Sequence, residues 1–169
     1  TEKKLIAKLR GDKDSYYLAF DQIPQSVKDC FIVTEDRDFY EHDGVNILST
    51  MKAAVLLVKS RLFHEKISRG GSTITQQLLR NQVIWKGNGS SVYEKITRKI
   101  QEQYLAVQLE QKLDKEQILE YYLNTINLGQ NAIGVQNASM RYFNKDISQL
   151  SISEAAVLAG GGKIRGGIK

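Results

Sequence analysis

Arg69-Gly70-Gly71-Ser72-Thr73-Ile74-Thr75-Gln76-Gln77 sets glycines, hydroxyls and amides side by side with a single isoleucine among them. Core packing does not call for such a run. Glycines let a backbone come close to a ligand, Ser and Thr side chains cap helix starts, and amides donate and accept hydrogen bonds to phosphate or sugar. The run predicts a ligand-facing loop entering a helix, and taken alone it also fits an ordinary Gly-Gly turn with a Ser/Thr cap. Carboxylates flank it in sequence. Glu35 and Asp36 open Glu35-Asp36-Arg37-Asp38-Phe39-Tyr40-Glu41-His42-Asp43-Gly44, and Glu102 closes Arg98-Lys99-Ile100-Gln101-Glu102. A carboxylate can take a proton from a hydroxyl, and Lys or Arg can offset the negative charge of a phosphate. The plainer alternatives are a solvated acidic pair at Glu35-Asp36 and a surface salt-bridge ladder along Glu94, Arg98 and Glu102, which recur at i,i+4 spacing.

These residues need rigid elements to hold them, and the pattern is strongly helical with few runs of strict alternation. A helix over Gln25 to Val33 follows Pro24, a good first-turn residue, and delivers Glu35 at or just past its end. Asp114 three residues before Gln117 is a capping-box start for Glu116 to Leu123, and Ser151 before Glu154 repeats the signature ahead of Ala155 to Ala159. Val92, Ile96, Ile100 and Val107 make a stripe that predicts a core-facing side for a helix from about 92 to 112, with Glu94, Arg98 and Glu102 on another line. Residues 46–63 are apolar on more than one helix face, with Lys52, Lys59, Arg61 and Lys66 around them. That pattern fits a helix lying in an anionic membrane interface, and equally a buried core helix.

The chain of 169 residues, 41% hydrophobic, has the size of one domain with a buried core. A net charge of +5 from 24 basic and 19 acidic residues suits an anionic partner: nucleic acid, a phospholipid surface or a pyrophosphate. With no arginine-rich arm, zinc-finger spacing or RNP-like strand, nucleic acid is not the expected partner. The single cysteine, Cys30, excludes an intrachain disulfide, lies in a helix-like apolar stretch and reads as a small core residue. No apolar run approaches the roughly 18 residues of a membrane span, and no signal peptide is evident.

Glu-Asp-x-x-Phe-x-x-His-x-Gly, then Gly-Gly-Ser-Thr-Ile-Thr-Gln-Gln, then Arg-Lys-x-x-Glu, followed by Leu119-Glu120-Tyr121-Tyr122-Leu123-Asn124, resembles in this order the peptidoglycan glycosyltransferases. These are the polymerising domain of bifunctional penicillin-binding proteins and their monofunctional relatives. The likeness runs from about Ile23 to Gly160. It implies a mainly α fold, a lysozyme-like helical lobe with a smaller membrane-associating lobe at about 45–68, in a single domain over 1–169. It also implies a location at the extracytoplasmic face of the cell membrane, through an anchor that this chain does not carry.

By the resemblance, Glu35 is the general base for the 4-hydroxyl of the acceptor sugar, Asp36 supports its neighbourhood, and His42 hydrogen-bonds structurally. Gly70, Gly71, Ser72, Thr73, Gln76 and Gln77 line the cleft between donor and acceptor. Glu102 holds a divalent cation, Mg²⁺ by expectation, or positions the donor pyrophosphate. Arg80, Arg98 and Lys99 supply positive charge, with Arg80 the best pyrophosphate contact at a place where the family often has Lys. The implied substrate is lipid II, with a lipid-linked glycan chain as donor and inversion by direct displacement. A transpeptidase domain in the full-length protein is compatible with this.

Three departures stand out. Relatives often carry Lys just before the third-motif Glu and Arg eight positions before it, where this chain has Gln101 and Glu94, with Lys95 and Lys99 nearby to compensate. Residues 160–169 form a glycine-rich tail, read as flexible or truncated, where a Pro-containing loop is usual. Two other readings compete: a lysozyme-like glycan-cleaving enzyme, which does not need the Gln-Gln-x-x-Arg cluster, and an inactive scaffold that binds lipid-linked precursor.

Overall fold

Apolar positions at helical spacing and well-formed caps give a mainly α fold, and a computed structural model describes residues 16–52, 55–56, 71–82 and 91–161. No strand occurs among the described residues; the β-pairing there is a single bridge between Asn127 and Ile133. Helix α1 is Gln25–Glu35, α2 Ile74–Gln82, α3 Val92–Glu110, α4 Lys115–Thr125, α5 Val135–Phe143 and α6 Ile152–Gly161. Pro24 stands at the N-cap of α1 and Glu35 is its last residue, so the helix carries the first carboxylate at its end.

The capping signatures read from the sequence form as bonds. Asp114 accepts from the Gln117 amide at 2.8 Å while Gln117 Oε1 accepts from the Asp114 amide at 3.1 Å, and α4 starts there. Glu154 accepts from the Ser151 amide at 2.9 Å at the start of α6. A bond from the Lys145 ammonium, then that cap, holds the Glu154 carboxyl down at about 2. Each such cap is worth about 1 kcal/mol.

Helix α1 packs on α6, and α2 packs on both α3 and α4. The core between them includes Val27, Phe31, Phe39, Ile74, Leu119 and Leu123, all fully buried. Cys30 is a free, half-buried thiol packed against this core, and burial pushes it up.

Helix α3 departs from its reading. Ile96 and Ile100 are 55% and 61% exposed, so the apolar stripe faces outward with Tyr93 and Tyr104, and Val107 is only half-buried. The side chain of Val92 lies outside the described set. The inward face carries Glu102 and Ala106 instead, because its packing partner α2 and the residues before it offer polar groups, Ser72 and Gln76, rather than an apolar groove. The ladder breaks up as well. Glu94 turns back to Ser91 in a capping box at the helix start, while Arg98 and Glu102 remain paired at 3.6 Å.

Of the expected membrane-associating region, residues 45–52 and 55–56 are described and the rest lies outside the described residues, as do Gly70 and most of the 160–169 tail. Asn46 Oδ1 accepts from the Ser49 amide at 2.9 Å, a cap for the helical residues that begin at 47. Ile47, Leu48, Met51, Val55 and Leu56 are exposed there. No helix among the described residues is long and apolar enough to cross a membrane.

Candidate functional site

Asp36 follows directly on α1 and is buried, and its carboxylate bridges two segments. Oδ2 accepts from the Ile74 amide at 3.0 Å, at the start of α2, and His42 Nε2 donates to the same oxygen at 3.0 Å. The N-terminal amide and the positive end of the helix dipole both favour an anion there. Thr73 caps the same helix by accepting from the Gln76 amide at 3.2 Å, and its hydroxyl donates to Gly44 O at 2.7 Å. The first and second motifs are thus fastened to each other through main-chain atoms.

Gly44 fastens the third. Its φ is +87°, and a Cβ there would lie 2.6 Å from the Ala106 carbonyl of α3. Any side chain must push the loop off the helix. Gly44→Ala is expected to cost about 3 kcal/mol, from overpacking against backbone plus positive-φ strain. A thermal scan should show the melting temperature lower by about 10 °C. An unchanged melting temperature would mean the loop does not sit against α3.

A second brace lies behind. The Thr75 hydroxyl donates to Glu110 Oε1, and the Lys115 ammonium donates to Glu110 Oε2 at 2.6 Å and to His42 O. The same ammonium sits 4.7 Å from the centre of the Phe39 ring.

These braces frame a cleft of about 780 Å³ lined by Glu35, Asp36, Lys52, Gly71, Ser72, Thr73, Gln77 and Arg80 among others. Glu35 Oε2 accepts from Gln77 Nε2 at 3.0 Å. Gln77 Oε1 in turn accepts from the Tyr122 hydroxyl at 3.3 Å. Burial, then the nearby Glu35 charge, holds that phenol protonated far above its ordinary range. Arg80 is exposed and lies one turn along α2 from Gln76 and Gln77, so it presents a guanidinium to the cleft wall.

The remaining expected residues gather behind Ser72, off the cleft lining. Lys99 Nζ donates to Ser72 Oγ at 2.8 Å and Glu102 Oε2 at 2.9 Å, and lies 3.5 Å from Gln76 Oε1. Glu102 has no exposed surface, while the Lys99 side chain is 39% exposed. A buried carboxylate is costly unless paired, and here Lys99 and Arg98 supply the pairing. Among the described residues three buried polar side-chain atoms have no hydrogen-bond partner: His42 Nδ1, Gln76 Nε2 and Glu102 Oε1, the last facing Arg98 Nε at 3.6 Å.

That orphaned oxygen tests the expected cation. Among the described residues no group of three or more His, Cys, Asp or Glu could hold a metal. Magnesium, however, is commonly bound through one or two carboxylates together with substrate phosphates and water. Glu102 Oε1, a carboxylate oxygen with no hydrogen-bond partner, is of the donor type such a site uses.

Tyr122 had no role in the sequence reading, although it lies in a quoted stretch. The available signal was its place on the apolar line Ile118, Leu119, Tyr122 and Ile126, since a core tyrosine must find a partner for its hydroxyl. Glu110 and Lys115 were missed because Thr75 and His42, which they brace, are distant from them in sequence.

The chain matches the family described as Transglycosylase over residues 2–163. It is 38% identical over 159 residues to penicillin-binding protein 1A of Clostridium tetani, covering 94% of this chain and 19% of that protein. To penicillin-binding protein 1A of Escherichia coli it is 44% identical over 157 residues, covering 93% of this chain and 17% of the relative. The Aquifex aeolicus protein of that name is 39% identical over 149 residues, 88% of this chain and 19% of the relative. The chain spans less than about a fifth of the length of these relatives. A match over nearly its whole length places this chain in the Transglycosylase family.

Proposed function

We propose that this chain is a peptidoglycan glycosyltransferase domain that polymerises lipid II into β-1,4 glycan with release of the lipid pyrophosphate. The observation that carries the reading is a carboxylate at a helix end, Glu35, hydrogen-bonded by Gln77 inside a cleft that also presents Arg80. Glu35 takes the proton from the acceptor 4-hydroxyl as that oxygen bonds to the anomeric carbon of the donor. The carbon–oxygen bond to pyrophosphate breaks on the opposite face, its electron pair leaving on the phosphate oxygen, and configuration inverts. No acid is needed for such a leaving group; positive charge suffices.

Arg80 is placed to meet the pyrophosphate from the cleft wall, with Lys99 and Arg98 behind Ser72. Asp36 acts by fixing the start of α2, and Gly70, Gly71, Ser72, Thr73, Gln76 and Gln77 complete the loop against which substrate lies. A divalent cation, Mg²⁺ in this proposal, would be held by Glu102 and would add charge neutralisation for the departing diphosphate. Where relatives place Lys and Arg, Gln101 and Glu94 leave two cations fewer, and Lys99 bonded to both Ser72 and Glu102 supports the idea that it carries part of their work.

The same proposal takes 1–169 as one domain of a longer protein, with a transpeptidase domain elsewhere in it, acting at the extracytoplasmic face of the membrane. Exposed Ile47, Leu48 and Met51 support a surface that lies on lipid. In flotation with anionic liposomes the protein should rise with the vesicles, and the triple serine variant I47S/L48S/M51S should bind at least about tenfold more weakly, from the apolar area lost. Equal flotation of both proteins would remove this surface from the account.

Labelled lipid II, detergent and magnesium, with products resolved by length, test the activity. Polymer is the expected product. Shortening of preformed glycan with no polymer would favour the cleaving enzyme, and binding without turnover the scaffold.

A further inference from the structure

We infer that Tyr122 is a positioning residue for Glu35, acting through the side chain of Gln77. The inference rests on the reading of Glu35 as the base. Tyr122 on α4 has no exposed surface, and its ring meets Phe31 edge-on at 6.3 Å, so the hydroxyl is delivered from a fixed ring. That hydroxyl donates to Gln77 Oε1 at 3.3 Å, and Gln77 Nε2 donates to Glu35 Oε2 at 3.0 Å.

An amide has two unlike ends, and only one orientation pairs a donor with the Glu35 carboxylate. The flipped amide would set Oε1 against the carboxylate oxygen. The carboxylate thus fixes the orientation of the amide, and Tyr122 holds the end left facing it by donating to Oε1: burial first, then the Glu35 charge and that of Asp36, outweigh the opposing effect of Arg80 and keep the phenol protonated. Donation into the amide carbonyl also polarises the N–H that faces Glu35. Glu35 is the final residue of α1, where the backbone alone constrains a side chain least. Through Gln77, a residue of α4 thus bears on the aim of that carboxylate.

Polymerisation kinetics of wild type, Tyr122→Phe, Gln77→Ala and the double variant test this. Tyr122→Phe should lower kcat about fivefold, the worth of one neutral hydrogen bond, with KM for lipid II little changed. Gln77→Ala should lower it about thirtyfold, and the double variant should be no worse than Gln77→Ala, because the hydroxyl acts only through the amide. A wild-type kcat in Tyr122→Phe, or a double variant that falls by the product of the two single effects, would overturn the inference.

A second readout does not depend on turnover. The Gln77 side-chain amide signals, resolved by ¹⁵N NMR, should move towards free-glutamine positions in Tyr122→Phe; unmoved signals overturn the relay even if lipid II polymerisation itself is absent. Should Tyr122→Phe lose cooperative unfolding, Gln77→Met keeps the volume and removes both ends of the relay. Its kcat must then fall as in Gln77→Ala, and an unchanged kcat overturns the inference.

Discussion

Glu35→Gln should abolish polymer formation, with turnover reduced by about a thousandfold or more. General-base catalysis by a positioned group contributes about 10²–10⁴ in rate, and no other carboxylate in the cleft stands where Glu35 does. Asp36 is bonded to His42 and the Ile74 amide, and Asp38 accepts from Asn46 Nδ2 at 2.7 Å. The substitution keeps size and a hydrogen-bonding end at a half-buried position, so the melting temperature should change little. Lipid II binding should persist, since the pyrophosphate contacts proposed for it lie on α2 and α3. Initial rates with labelled lipid II, a binding isotherm and a thermal scan separate these effects. Loss of binding together with turnover would make Glu35 a substrate anchor and not a base.

The second large effect is expected at Glu102. Glu102→Gln should lower kcat about a hundredfold or more, the scale on which a single pre-organised electrostatic group acts. The carboxylate is fully buried and gathers Lys99 at 2.9 Å and Arg98 at 3.6 Å. Without its charge, both cations lose the partner that fixes them behind Ser72, and both are exposed enough to turn towards water. Stability should therefore fall by only about 2 kcal/mol, less than the removal of one member of a fully buried pair. If Glu102 Oε1 is a ligand of magnesium, the concentration giving half-maximal rate should also rise at least about tenfold. A magnesium titration of both proteins, starting from chelator-treated samples, reads both quantities. An unchanged magnesium requirement with a depressed kcat would leave Glu102 as an organiser of Lys99 and Arg98 alone.

Most of the helical framework was legible in the sequence because it depends on neighbours in the chain. Asp114 with Gln117 and Ser151 with Glu154 are spaced to cap, and they do. Pro24 opens α1 and Glu35 ends it. Helix α3 was misread for a general reason: periodicity shows which residues share a face, but not which face the rest of the fold covers. Its isoleucine line is outward because the inward position belongs to Glu102, whose burial is sustained by Lys99 and Arg98. A rule that places apolar residues inside has no means of anticipating a carboxylate held there by two cations.

The site divides in the same way. Glu35, Gln77 and Arg80 share a cleft, whereas Tyr122, Glu110 and Lys115 act from helices whose proximity is a tertiary fact. Gly44 was visible as one glycine of a motif. Its need to be glycine, the approach of the Ala106 carbonyl, was not.

The most direct measurement is the product-length distribution from labelled lipid II with wild type and Glu35→Gln run side by side at matched, verified binding. Long glycan from wild type and unreacted, bound lipid II from the variant is the result this account predicts. Polymer from Glu35→Gln at a rate near wild type, or no polymer from a wild-type protein that binds lipid II and is fully folded, would contradict it.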